Sequence, residues 1–372
     1  MDHMANEKIT IKIVSEKAKV SKTTISRYLN GKYEFMSAKT RKRIEEVIRE
    51  LDYRPNAMAQ SLKNNKTGLI GLVIADMADP FSAALIKGVN DVCIEKNFQI
   101  VMVDTDNNSE KECDHIQSLI DRQVEGIIIN TTGGNDDFIQ GLRQQGIKIV
   151  LAGRVLEAYT IDTVTTDFEK ATAEMIKKVY AEGFESVGFF SHPLHNQSRK
   201  KKHDYFIETT ANLVKHPMRL TYIIEENNGI LRECQDLLKE FLNAHKENHC
   251  ALFAENSLVL ANLIHAVYSL GLRIPEDVGV CGYDELGWTH AIGVDISTIS
   301  KPASQIGRGA AELLLKRIGK GKEHYKAKYI ELPSEIVIKN STQITDNNFD
   351  KIVIKLNQEN KPFIKKNYSN KG

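Results

Sequence analysis

Lys22, Thr23, Ser26 and Arg27 place two cations and two hydroxyls within six residues, with Ile25 and Leu29 interleaved. At about 100° per residue, the four polar side chains share one face of a helix and the two apolar ones share the other. Hydroxyl and guanidinium donors on such a face suit hydrogen bonding to base edges and phosphates. The DNA major groove is wide enough for one helix and presents distinguishable edges. Thr10, Ser21 and Asn30 lie close enough in sequence to extend that face. A second concentration of cations, Arg199 to Lys202 in SRKKKHDYF, suits a small anion instead. Carboxylate and phosphate oxygens accept charge-assisted hydrogen bonds from such groups. The competing interpretation of that run is a solvated loop.

Catalytic patterns are missing. No GxGxxG, GxxxxGK[ST] or GxSxG stands in strand-turn-helix context, and Gly68 and Gly71 precede a strand instead of following one. His192, His195 and His203 are scattered, while Glu225-Glu226 and Asp136-Asp137 read as solvated charges. No catalytic residue, metal ligand or cofactor is expected. The five cysteines (Cys93, Cys113, Cys234, Cys250, Cys281) are odd in number and far apart, without a CxxC pair. They read as free thiols in a reducing cytoplasm.

Two short helices must hold the first polar face. Thr10 is positioned to cap one, with Ile11, Val14 and Ala18 inward, and Lys19-Val20 form the turn. Ser21 is a natural N-cap for the second, Lys22 to Leu29, buried along Ile25 and Leu29. A third helix from Ser37 carries Ile44, Val47, Ile48 and Leu51 at i, i+3, i+4, i+7 spacing, a stripe on which the pair can sit. The pattern is a helix-turn-helix.

Charge supports that division. Residues 7–66 hold 15 basic and 7 acidic residues, a surplus of +8, so a chain of net charge +1 carries −7 elsewhere. A basic head on an acidic body is the asymmetry expected when one end meets phosphate. At 372 residues the chain suits two or three compact units. No apolar run of 18 residues and no signal-peptide core is present, so neither membrane insertion nor export is expected. Met1-Asp2-His3-Met4 reads as a cloning scar ahead of a native start at Met4.

From Leu69 onward, short β-rich runs alternate with helical stretches. The runs are 69–76, 98–106, 125–130 and 147–153, then 186–191, 219–225, 250–255 and 277–285. Nearly continuous apolar strands are covered on both faces, and repeated βαβ units give parallel sheets. Two sets imply two doubly wound halves with a cleft between them. Loops at the C-terminal strand ends line such a cleft. The candidates there are Asp76, Asp79, Phe81, Arg154, Arg199, Lys201, Asn256, Ser257 and Asp284.

Val20 to Asn30, Arg54-Pro55-Asn56, Ala57 to Leu62, VTTD (164–167), RIPEDVGVCGYDE (273–285) and KPASQIG (301–307) together resemble the lactose-repressor (LacI/GalR) family of bacterial transcription regulators. The KTTISRYLNGKYEFMS wording also bears a fainter likeness to regulators of ketodeoxygluconate and hexuronate use. The resemblance spans about residues 9–342. It implies a helix-turn-helix domain at 9–56, a hinge at 57–67 and a periplasmic-binding-protein-like core at 68–342, ahead of an extension at 343–372. The core would divide into 68–165 with 298–328, and 166–296 with 329–342, with crossings near 163–168, 292–300 and 325–333. In the hinge, Leu62 matches a minor-groove wedge and Ala59 the small residue beside it.

The implied function is a cytoplasmic, ligand-responsive regulator, binding palindromic operator DNA as a homodimer or larger even oligomer. Control by a co-repressor or a partner protein, without a sugar, is the alternative. A solute-binding protein is a weaker one. The chain departs from the family at Gly153 and Ser257, where relatives carry aspartates that hold sugar hydroxyls. With Arg199 or Lys201 as anchor, these losses favour an anionic sugar derivative as effector. Ile13 replaces another family aspartate and Lys19 replaces the turn glycine.

Overall fold

The computed structural model describes residues 9–53, 66–156, 161–195, 197–213, 220–225, 229–284, 293–319 and 326–344. The expected Arg54-Pro55-Asn56 motif, the hinge with Ala59 and Leu62, and the extension beyond Ile344 lie outside those residues.

Helices α1 (Ile11–Lys17), α2 (Lys22–Leu29) and α3 (Ala38–Glu50) form the N-terminal unit. Val14, Ala18, Ile25, Ile44, Val47 and Tyr53 make its core, with Ile11 and Leu29 only partly buried against it. Ser21 caps α2 by accepting from the Thr24 amide at 3.1 Å, and Ser37 caps α3 in the same way from Thr40 at 3.2 Å. Thr10 occupies the cap position of α1, but its hydroxyl makes no capping bond. The turn conformation expected at Lys19 is present, with φ at 50°, where a glycine would meet less steric resistance. Lys17 reaches Glu50 at 2.6 Å and joins α1 to the end of α3.

The core alternates strands and helices. Its first lobe begins β1 (Leu69–Ile74), α4 (Pro80–Glu95), β2 (Gln99–Asp104), α5 (Ser109–Asp121), β3 (Gly126–Ile129), α6 (Asp136–Gln144), β4 (Ile149–Ala152) and β5 (Asp162–Thr166). The second holds α7 (Phe168–Ala181), β6 (Ser186–Ser191), α8 (Gln197–Leu213), β7 (Thr221–Ile223), α9 (Ile230–Ala244), β8 (Cys250–Ala254), α10 (Ser257–Ser269), β9 (Gly279–Tyr283) and β10 (Ser297–Ser300). The chain then returns through α11 (Ala303–Gly319) and β11 (Tyr329–Leu332), and ends on β12 (Glu335–Val337). One sheet runs β11-β5-β4-β3-β1-β2, the other β12-β10-β9-β8-β6-β7. All neighbours are parallel except β12, which pairs antiparallel with β10. Each sheet has an apolar cluster on both faces, so β3, β4 and β8 are buried along their whole length.

Strand pairing moves two of the expected crossings. Ser297–Ser300 pairs with β9, so residues 298–300 belong to the second lobe and the crossing falls at Lys301-Pro302. Tyr329–Leu332 pairs with β5, so those residues stay in the first lobe and the last crossing falls at 333–334. In both cases the strand joins the sheet edge it can hydrogen-bond, and the chain changes lobe only after that ladder ends. Helices α4 and α11 touch backbone to backbone. A Cβ at Gly88 would land on the Ser304 carbonyl, and one at Gly307 on the Leu85 carbonyl.

Candidate functional site

On α2, Lys22, Thr23 and Arg27 are exposed and Ser26 is half-buried. Asn30 is partly committed, since its amide donates to the Ser26 carbonyl at 2.6 Å, and the Ser21 hydroxyl is engaged in capping. Thr10 is exposed just before α1. The outward side of α2 is therefore a hydroxyl and cation surface on an apolar seam.

Between the lobes lies an open cleft of about 470 Å³ whose walls include Asp76, Asp79, Arg154, Arg199 and Asn256. Below it is a narrow chamber of about 30 Å³, bounded by Phe81, Gly153, Phe168, Lys202, Glu255 and Lys301 among others. The chamber holds roughly one water, while the outer cleft has room for a sugar ring. Asp79 caps α4 by accepting from the Phe81 amide at 3.0 Å. Its Oδ1 also accepts from the Ser257 hydroxyl at 3.0 Å, a direct tie between the lobes. Arg154 donates to Asn107 Oδ1 and to the Thr131 carbonyl, each at 3.0 Å.

Two charged residues that the sequence did not single out for the site, Glu255 and Lys301, complete the chamber together with Lys202 from the expected Arg199 to Lys202 run. Lys202, from α8, donates to Glu255 Oε1 at 2.7 Å and to the Glu255 carbonyl at 3.0 Å. Arg199 Nε lies 3.6 Å from Glu255 Oε2, and Asn256 Nδ2 donates to that same oxygen at 2.8 Å. Lys301 pairs with Asp284 at 2.7 Å while its Nζ lies 4.3 Å from the Phe81 ring centroid. Burial pushes the Glu255 carboxyl upward, but Lys202 and Arg199 outweigh it and hold the group down at about 2. Burial lowers Lys202, against the pull of Glu255, and lowers Arg154, with Arg199 adding like-charge repulsion. Asp284 is raised, by burial first.

The expected residues are thus mostly brought together, with three exceptions. Asp284 lines neither cavity and reaches the chamber only through its ion pair with Lys301. Lys201 lines neither cavity, because two residues along a helix is about 200° from Arg199, whereas Lys202 at i+3 returns to the same face. Ser257 ties the lobes and also lines neither. The expected loss of both acids is offset by Glu255, two residues before Ser257. Gly153 has φ at 79°, and a Cβ there would sit 2.7 Å from Phe81 Cζ, so an aspartate does not fit this arrangement. Helical periodicity within SRKKKHDYF would have selected Lys202. No local pattern marks Lys301, which enters the chamber only because the crossing falls there.

Residues 10–56 match the model for bacterial regulatory proteins, lacI family. Residues 67–340 match that for periplasmic binding proteins and the sugar binding domain of the LacI family. The HTH-type transcriptional regulator KdgR of Bacillus subtilis (strain 168) is 37% identical over 335 residues, 89% of this chain and 97% of that protein. The chain belongs to the lacI family of bacterial regulatory proteins. The HTH-type transcriptional regulator PtxS of Pseudomonas aeruginosa is a further lacI-type relative, 32% identical over 90% of this chain and 96% of its own length. A crystal structure of the lac repressor dimer bound to operator and the anti-inducer ONPF shares the fold, with a TM-score of 0.77 over 91% of this chain and 100% of that one, at 21% identity. This lacI-family chain is a ligand-responsive, DNA-binding transcription regulator with an effector core of periplasmic-binding-protein type. The model matched by the core is described as covering the sugar binding domain of this family, and the lac repressor in that structure is a dimer on its operator. Among the described residues no helix is long and apolar enough to cross a membrane.

Proposed function

We propose that the protein is a cytoplasmic, homodimeric repressor of carbohydrate or sugar-acid genes, without catalytic activity. It binds a near-palindromic operator through α2 and takes a sugar acid or sugar phosphate as effector. The observation that carries the effector assignment is the charge of the inner chamber. Arg154, Arg199, Lys202 and Lys301 stand there with Asp79 and Glu255, four cations to two carboxylates. Lys202 and Arg199 share Glu255 and Lys301 has Asp284, whereas Arg154 donates to neutral oxygens. Burial lowers the pKa of both Arg154 and Lys202, so a ligand anion beside them restores stabilisation that desolvation has removed. Asp76, Asp79 and Asn256 supply acceptors and donors for hydroxyls in the outer cleft. Ligand binding biases the lobe arrangement, and the hinge at 57–67, with Leu62 as minor-groove wedge and Ala59 beside it, passes that bias to the paired DNA heads.

Titration calorimetry with a matched sugar acid and neutral parent sugar tests the effector assignment. Wild type prefers the acid by roughly tenfold or more, the worth of one charge-assisted hydrogen bond of about 1.5–3 kcal/mol. Lys202→Gln removes most of that preference, and Lys201→Gln keeps it. Equal or tighter binding of the neutral sugar to wild type would contradict the assignment.

A further inference from the structure

The connection between α2 and α3 carries aromatic side chains that core packing does not use. Its single helical turn, Tyr33–Phe35, leaves Tyr33 38% and Phe35 56% exposed, although both are large apolar rings. Met36 anchors the turn in the small core. Tyr33 is held edge-on to Tyr28, with ring centroids 5.6 Å apart, and Arg41 lies 3.9 Å over its ring. The turn is therefore fixed on one side, and Phe35 faces α2. There the Arg27 guanidinium carbon lies 4.8 Å from the Phe35 ring centroid. No carboxylate forms an ion pair with Arg27 among the described residues.

We infer that Phe35 is a specificity-determining positioning residue, which stacks on Arg27 and presents its guanidinium edge to a guanine in the operator. The inference rests on the proposal that α2 is the recognition helix. Stacking occupies one flat face of the guanidinium, while base recognition uses the in-plane N–H groups. The two interactions are therefore compatible, and the first prepares the second. A long, exposed arginine loses rotamer freedom when it reads a base, and a ring that already restricts it removes part of that loss. A bidentate contact to guanine O6 and N7 demands a fixed plane, which the ring supplies. Phe35 is too exposed for its loss to unfold the head.

The test uses the full-length dimer, the tightest duplex selected from a random pool, and single-base variants of that duplex at fixed salt. Arg27→Ala identifies the base pair at which discrimination is lost. Phe35→Ala then lowers discrimination at that same base pair by roughly two- to fivefold, the range of an exposed cation–π contact. Affinity for a scrambled duplex and the thermal midpoint stay unchanged. Phe35→Tyr, which keeps the ring, restores discrimination, and Phe35→Ala has no further effect once Arg27 is alanine. A uniform loss across all duplexes, or no change at the base read by Arg27, would overturn the inference while leaving α2 as the recognition helix. No effect of Arg27→Ala on discrimination at any position would remove the recognition assignment itself, and the inference with it.

Discussion

Glu255 and Lys202 show how one buried pair sets the character of the cleft. A carboxylate beside two cations in a desolvated chamber remains ionised, at about 2 against an ordinary 4.5. Because that value is depressed on folding, the stability it contributes is fully present above about pH 4.5 and is lost as pH falls through about 2. Asp284 works in the opposite direction, since burial raises it. A variant that keeps Asp284 isolates the first effect. Glu255→Gln lowers the thermal midpoint of the core at neutral pH, and its deficit against wild type shrinks as pH approaches 2. A deficit that stays constant from pH 6 to about pH 2.5 would show that Glu255 contributes packing and not charge. These residues were only partly legible beforehand. The cation run was visible, but choosing among four consecutive basic residues needs the helix phase, and Glu255 offered no pattern of its own. The DNA face was easier to read, because capping serine, apolar seam and exposed hydroxyls all lie within one local stretch.

The elements were legible where period and capping agree. Helices α1, α2 and α3 fall where Ser21, Ser37 and the apolar stripe place them. Strands β1 to β4 and β6 to β9 fall in the apolar runs because both faces of each sheet are covered, whereas β5, β10, β11 and β12 lie outside those runs. Crossing points were less legible, since lobe membership of Ser297–Ser300 and Tyr329–Leu332 depends on which distant strand they pair with. The crossing helix is held by a close approach that a local pattern does not announce. Gly88 and Gly307 let α4 and α11 meet at backbone distance. Gly307→Ala pushes α11 off α4 and destabilises the core by about 1–3 kcal/mol, the usual range for overpacking. Urea unfolding measures it, and an unchanged midpoint would mean that the helices separate without strain. The effect reaches the ligand site, because Lys301 stands immediately before this helix.

At the scale of the whole molecule, the head and the core are different machines on one chain. The head carries the basic surplus and a small three-helix core, and the lobes carry the cleft. Neither half explains the other, but a ligand-controlled regulator explains both, provided that cleft occupancy alters DNA affinity. Coupling of that kind is a free energy shared by two sites, typically worth a 5- to 150-fold change in affinity. The most direct measurement is fluorescence anisotropy on the selected operator duplex at constant salt. Operator affinity is determined for the unliganded dimer, with a saturating sugar acid, and with its neutral parent at the same concentration. The acid is expected to change operator affinity at least about fivefold, the neutral sugar to change it little, and Lys202→Gln to abolish the response while binding operator as wild type does. Operator affinity that is the same with and without every acid bound in the cleft would contradict coupling between cleft and DNA head.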